Sequence, residues 1–212
     1  MSKMLTRVLR NAVGEARCRF FDWQHGVRTC GAAYLADLTL VGNSADHGVH
    51  YRAAHPKFLF EVFSALKIDY PRYTFVDFGS GKGRALLIAS EFPFSEIVGV
   101  EFAAELHEIA ARNIRHYRSK TQRCKNVRSL NLDAAEFELP LTPLVLYLFN
   151  PFRPGVLSPL LQRIQRSLNS YPRDVTLIYA APFHADLIEQ ETALRCVEQS
   201  IYHNTYRFEH HA

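Results

Sequence analysis

From residue 74 to residue 209 the chain alternates short runs, most of them near-continuously apolar, with stretches of helical periodicity, and few architectures accept that pattern. The runs are "TFVDFG" (74–79), "EIVGVEF" (96–102), "VRSLNLD" (127–133), "LVLYLFN" (144–150) and "DVTLIYA" (174–180), with weaker ones around 196–201 and 204–209. Helical stretches at 83–93, 103–118, 156–168 and 184–194 separate them. Strands that are apolar along their whole length need cover on both faces, whereas a half-exposed strand alternates polar and apolar. The pattern predicts an α/β domain with a doubly wound, mostly parallel sheet. In such sheets ligands sit beyond the carboxyl ends of the strands, where the strand order reverses. Asp77, Glu101, Asp133 and Asn150 all fall at or near those ends.

Upstream, residues 3–20 read as a helix and 22–55 as an irregular stretch rich in Gly, His and Asp. "PKFLFEVFSALKI" (56–68) has apolar residues at helical spacing, with Pro56 acceptable in a first turn. Residues 1–70 are thus expected as a helical cover packed on a core of 71–212, one compact domain overall. With 212 residues, 48% of them hydrophobic, the chain can bury a core without covalent staples. Its four cysteines (Cys18, Cys30, Cys124, Cys196) are scattered, so reduced thiols and a cytoplasmic location are the expectation. No apolar run reaches the ~18 residues that a membrane span needs. A net charge of +4 permits an acidic partner without announcing one.

"FVDFGSGKGRALLIAS" (75–90) reads as a strand, a glycine turn and the opening of a helix. An ATP-binding P-loop needs G-x-x-x-x-G-K-[ST]; here Gly83 follows "GK", and Val76 stands where the first glycine belongs. The dinucleotide fingerprint G-x-G-x-x-G is weakened, because Arg84 occupies the position of its third small residue. The pattern D-x-G-x-G-x-G is met by Asp77, Gly79, Gly81 and Gly83.

At these residues the chain resembles the class I S-adenosylmethionine-dependent methyltransferases. The resemblance implies a Rossmann-like, seven-stranded sheet, mostly parallel with an antiparallel last strand, beneath an N-terminal helical cover. It implies S-adenosyl-L-methionine as cofactor. The turn Gly79, Ser80, Gly81 and Gly83 would expose amides to the cofactor's amino-acid portion, with Asp77 on its ammonium. Glu101, 22 residues after Gly79, would accept from both ribose hydroxyls. Asp133 would accept from the adenine amino group, the Ala134 amide would read the ring, and Phe102 with Phe137 would sandwich it.

"YLFNPF" (147–152) resembles the [ND]-P-P-[YF] signature of methyltransferases that act on nitrogen, though with one proline and neither Asp nor Tyr. A nitrogen nucleophile presents its lone pair in line to the sulfonium methyl at about 3 Å, and its remaining N–H groups need fixed acceptors. By that resemblance Asn150 and the Asn150–Pro151 turn supply them, and Phe152 stacks on the target. "GVHYRAAHPKFLFEVFSALKI", followed by "DFGSGKGR" and "GVE", is similar to the histone-lysine methyltransferases that lack a SET domain and to mitochondrial lysine methyltransferase relatives. In them a Tyr-containing segment covers the cofactor, which makes Tyr51 the lid contact here. Histone specificity does not carry over.

Other features have plainer readings. Residues 112–128 hold seven Lys or Arg and no acid, yet they lie at a helix end away from the strand ends, so nucleic acid is not the favoured partner. His50 and His55 bracket Tyr51 and are candidates for the substrate entrance. No ligand spacing points to a metal, and Lys82 and Arg84 read as a solvated helix start. The expected activity is methyl transfer to a nitrogen, a protein lysine amine being the best specific guess. A nicotinamide-dependent oxidoreductase and a non-catalytic cofactor- or nucleic-acid-binding module are the alternatives. Substrate identity and oligomeric state are not readable.

Overall fold

Seven strands form one sheet: β1 (Thr74–Phe78), β2 (Glu96–Glu101), β3 (Val127–Asn131), β4 (Leu144–Phe149), β5 (Val175–Ala180), β6 (Arg195–Gln199) and β7 (His203–Phe208). The computed structural model describes residues 2–42, 51–149 and 152–210. Strand order is β3-β2-β1-β4-β5-β7-β6, parallel throughout except that β7 runs against both β5 and β6. This is the mostly parallel sheet that the sequence pattern predicts. Order reverses between β1 and β4, so a crevice opens beyond their carboxyl ends.

Alternate residues of the central strands feed two apolar layers, as a two-residue period dictates. Val76, Phe78, Leu144, Leu146 and Leu148 face α5 (Pro154–Ser170), packing with Leu157, Leu161 and Ile164. Phe75, Val145 and Tyr147 face α2 (Pro56–Ser64) and α3 (Arg84–Ala89), meeting Leu59, Phe63, Leu86 and Ile88. Burying one such large side chain contributes about 1.5–3 kcal/mol. α2 therefore belongs to the same apolar cluster as β1, although it lies within the expected cover.

α4 (Ala104–His116) crosses from β2 to β3, and α6 (Ala185–Glu191) follows β5. α1 (Ser2–His25) runs past the expected end at 20, because nothing breaks it before Gly26. Gly26 stops it in the left-handed conformation, at φ +66°. α5 starts at Pro154, since proline suits a first helical turn. Among the described residues no helix is long and apolar enough to cross a membrane.

The scattered cysteines are where sequence reasoning fails. Cys18 and Cys30 form a disulfide across 12 positions, with Cα atoms 5.8 Å apart. The cause is local. Asp22 lies one turn after Cys18 on α1, and its carboxylate accepts the Thr29 and Cys30 amides at 2.7 and 2.8 Å. That folds the loop after α1 back along the helix and brings Cys30 beside Cys18.

Candidate functional site

β1 delivers Asp77 and β2 delivers Glu101 to the carboxyl edge of the sheet, both buried. The chain then bends through Gly79, Gly81 and Gly83, whose φ values of +75°, +54° and +83° explain why the motif spaces its glycines. Gly99 on β2, in register with Asp77, leaves the room this turn needs: a Cβ there would stand 2.7 Å from Ser80 Oγ.

Glu101 ties the turn to β2. Its carboxylate oxygens accept the Gly81 amide at 2.7 Å and the Ala103 amide at 3.0 Å. Burial pushes its pKa up to about 7, against the pull of those amide donors. Asp77 is raised well above the ordinary carboxylate range, first by burial and then by the charge on Glu101. Beside it on β4 stands Tyr147, in register with Asp77, its phenol likewise raised by burial. Among the described residues neither Tyr147 Oη nor Ser80 Oγ, both buried, has a hydrogen-bond partner.

The amides of the turn are not exposed as expected. Gly79 and Ser80 donate to Val100 O at 2.9 and 3.2 Å, Gly81 to Glu101, and Gly83 to Ser80 O at 2.9 Å. What the turn offers a ligand is therefore carboxylate, not a nest of amides. Two buried acids and two orphaned hydroxyls suit a cationic, hydroxyl-bearing guest and disfavour a pyrophosphate.

The segment after α1 roofs this edge. Val41 donates to Phe102 O and Ala104 to Thr39 O, each at 2.9 Å, so the segment crosses the end of β2. Gly42 lies against Asp133, where a Cβ would stand 2.5 Å from its carboxylate. Tyr51 pairs with Ala33, and its ring lies so close over Gly81 that any Cβ there would collide with it. Its hydroxyl donates to Thr29 O at 2.7 Å, and Lys82 Nζ sits 5.0 Å from the ring centroid. The structure thus gathers Tyr51, Asp77, Gly79, Ser80, Gly81, Gly83, Glu101, Phe102, Asp133 and Ala134 around one edge.

Asp133 Oδ1 accepts the Ala135 amide at 3.0 Å, capping the short turn that carries Ala134. Phe137, expected on the adenine, instead packs edge-to-face on Phe78 inside the core. Phe152 is also buried in that layer, among residues that meet α5. Asn150 and Pro151 lie outside the described residues, as does His50. His55 caps α2, its Nδ1 accepting the Lys57 amide at 3.2 Å.

Arg84 and Lys82 are not a solvated face. Arg84 is buried and donates to Thr29 Oγ1 at 2.7 Å and to Ala54 O at 3.2 Å, with Asp22 at 3.4 Å. Lys82 donates to Cys30 O at 2.8 Å. The basic residues of 112–128 are exposed, as expected, and several border an open groove of about 1260 Å³ between α1, α2 and the end of α4.

Residues 46–138 match the family model of the histone methylation protein DOT1, a stretch that ends before β4. Among solved structures, a presumed RNA methyltransferase from Pyrococcus horikoshii aligns with TM-score 0.55 and 19% identity, over 82% of this chain and 94% of that one. A predicted N6-adenine-specific DNA methylase from Listeria monocytogenes gives TM-score 0.55 and 12% identity, over 74% and 51%. A presumed methyltransferase solved with SAH gives TM-score 0.51 and 13% identity, over 74% and 53%. The chain thus spans about half the length of these last two. Among curated proteins none matches the sequence significantly. At such identities the likeness is one of fold, and that fold is the class I methyltransferase fold.

Proposed function

We propose that this chain is an S-adenosylmethionine-dependent methyltransferase acting on a nitrogen nucleophile, with a protein lysine amine as the best specific acceptor. The observation that carries the reading is the pair of buried acids, Asp77 and Glu101, on either side of a left-handed glycine turn at the sheet's switch point. Bound there, the cofactor would supply an electrophilic methyl on a sulfonium. Asp77 would hold its ammonium, and Glu101 its ribose hydroxyls, through the lone pairs that the Gly81 and Ala103 amides leave free. Asp133, Ala134 and Phe102 would form the adenine wall, and Tyr51 would shut water out over Gly81.

The match to a histone methylation model supports a protein acceptor. The nucleic-acid methylases among the structural neighbours, together with the exposed basic run at 112–128, support a nucleic-acid acceptor as the second reading. A lysine amine, with an unperturbed pKa of about 10.4, must arrive or become neutral, which entry into a dry site favours. Asn150 is then the acceptor for its remaining N–H groups, with Pro151 stiffening the turn.

Calorimetric titration with S-adenosylmethionine, followed by labelled methyl transfer into fractionated lysate, tests the reading. Label should enter protein and resist nuclease. Asn150→Ala should abolish transfer while leaving cofactor affinity within about threefold, since Asn150 serves the acceptor's geometry. Absence of cofactor binding by folded protein refutes the reading, and label lost to nuclease transfers it to a nucleic acid.

A further inference from the structure

Arg84 touches the glycine turn and the disulfide at once. It opens α3 directly after Gly83, and its Nη2 lies 2.8 Å from Cys18 Sγ and 3.1 Å from Cys30 Sγ. The loop that Cys30 belongs to holds both contacts over the turn. Thr29 O accepts from Tyr51, and Cys30 O accepts from Lys82. Asn113 Nδ2 adds a stitch, donating to Arg28 O at 3.1 Å and to Lys82 O at 2.8 Å.

We propose that Cys18–Cys30 is a reversible thiol–disulfide exchange site, reduced by a small dithiol, whose state sets how firmly the N-terminal cover grips the glycine turn. The consequence at the turn rests on the cofactor reading above, whereas the exchange chemistry stands apart from it.

A domain with two full apolar layers does not need a staple across so short a separation. A guanidinium against both sulfurs stabilises the thiolate that reduction produces, and stabilising the reduced form makes a disulfide easier to reduce. Asp22 offsets part of that charge but lies farther from the guanidinium than either sulfur. Both cysteines are half-exposed, so a small thiol can reach them. Cys124 is buried, and Cys196 is exposed with its Sγ donating to Glu198 O.

In the exchange, one reductant thiolate attacks a Cys sulfur, breaking the S–S bond and forming a mixed disulfide. The second reductant thiol then displaces the protein sulfur. Two electrons pass to the protein, which ends with two thiols, and the reductant ends as its own disulfide. Release of Cys30 from α1 leaves the loop under Tyr51 and Lys82 without its covalent tie to the helix, held by hydrogen bonds from Asp22, Asn113 and Arg84.

The test uses the whole chain, equilibrated with graded ratios of reduced to oxidised dithiothreitol and quenched with a mass-tagging maleimide. Circular dichroism and S-adenosylmethionine calorimetry run on the same samples. Two further thiols should appear with the circular dichroism unchanged. In the reduced protein Cys18 or Cys30 should alkylate at pH 7 faster than Cys196. Reduction should weaken cofactor binding by about 3- to 10-fold, the loss expected when a pre-organised loop must be ordered on binding. Cys18→Ser with Cys30→Ser should match the reduced form and ignore dithiothreitol. A bond that yields only when the protein unfolds, or alkylation slower than at Cys196, overturns the exchange site. Equal affinity in both states overturns its link to the turn. If neither form binds the cofactor, the methyltransferase reading and that link fall together, and the thiol counts alone still decide the exchange site.

Discussion

Replacing Glu101 with Gln should flatten the pH dependence of stability, and the structure gives the size of the effect. Burial pushes the Glu101 carboxyl up to about 7, against an ordinary value of 4.5. Between those values the native chain holds a proton that the unfolded chain has released, so its stability falls as pH rises through the window. The contribution is fully present below 4.5 and gone above about 7. A gap of roughly 2.5 pH units corresponds to about 3 kcal/mol at 1.36 kcal/mol per unit. For a domain of this size that is roughly 6–12 °C in melting temperature.

Glutamine cannot ionise, so this slope disappears, while one of the Gly81 and Ala103 amides is left facing an NH₂ group at every pH. Thermal melts of wild type and variant, from pH 5 to 8 at fixed ionic strength, should therefore converge as pH rises. Parallel curves would refute the assignment of a desolvated, proton-holding carboxylate at the end of β2. On the cofactor reading, hydroxyls donating to the ionised form should lower the wild-type pKa and steepen binding: affinity should rise about tenfold from pH 6 to pH 8.

Asp77→Asn should leave the fold intact and weaken S-adenosylmethionine binding by about 10- to 100-fold, the size of a lost charge-assisted hydrogen bond, read by calorimetry. A loss below threefold would remove Asp77 from the cofactor's ammonium. Gly81→Ala should destabilise by about 1–3 kcal/mol in urea titration, because a Cβ at φ +54° is strained and meets the Tyr51 ring. Adding Tyr51→Ala should recover part of that cost, giving a coupling energy above about 0.5 kcal/mol in a double-mutant cycle.

The sheet was legible in the sequence because β1, β2, β4 and β5 are buried on both faces, which leaves uninterrupted apolar runs. Asp77 and the glycines were legible for a related reason: only glycine takes successive left-handed positions cheaply, so the turn writes itself as a spacing. Arg84 was not. Its guanidinium is matched to Asp22, Thr29 and Ala54 O, all more than 25 positions earlier, and no local pattern marks such partners. The disulfide was hidden for a local reason, since the Asp22 carboxylate, not the cysteine spacing, turns the loop. Phe137 and Phe152 carry a different lesson: resemblance offered both to a ligand, and both lie buried in the apolar layer beneath α5.

The reversal of strand order between β1 and β4 divides the edge of the sheet into two territories. Asp77, Glu101 and Asp133 all stand on the β1–β3 flank, and β4 and β5 stand on the other. On the cofactor reading proposed above, a lineage can redraw the second territory, acquiring a new recipient for the transferred group, while the first keeps its hold on the donor. A graft that exchanges only the residues after 143 should keep donor binding and change the recipient alone.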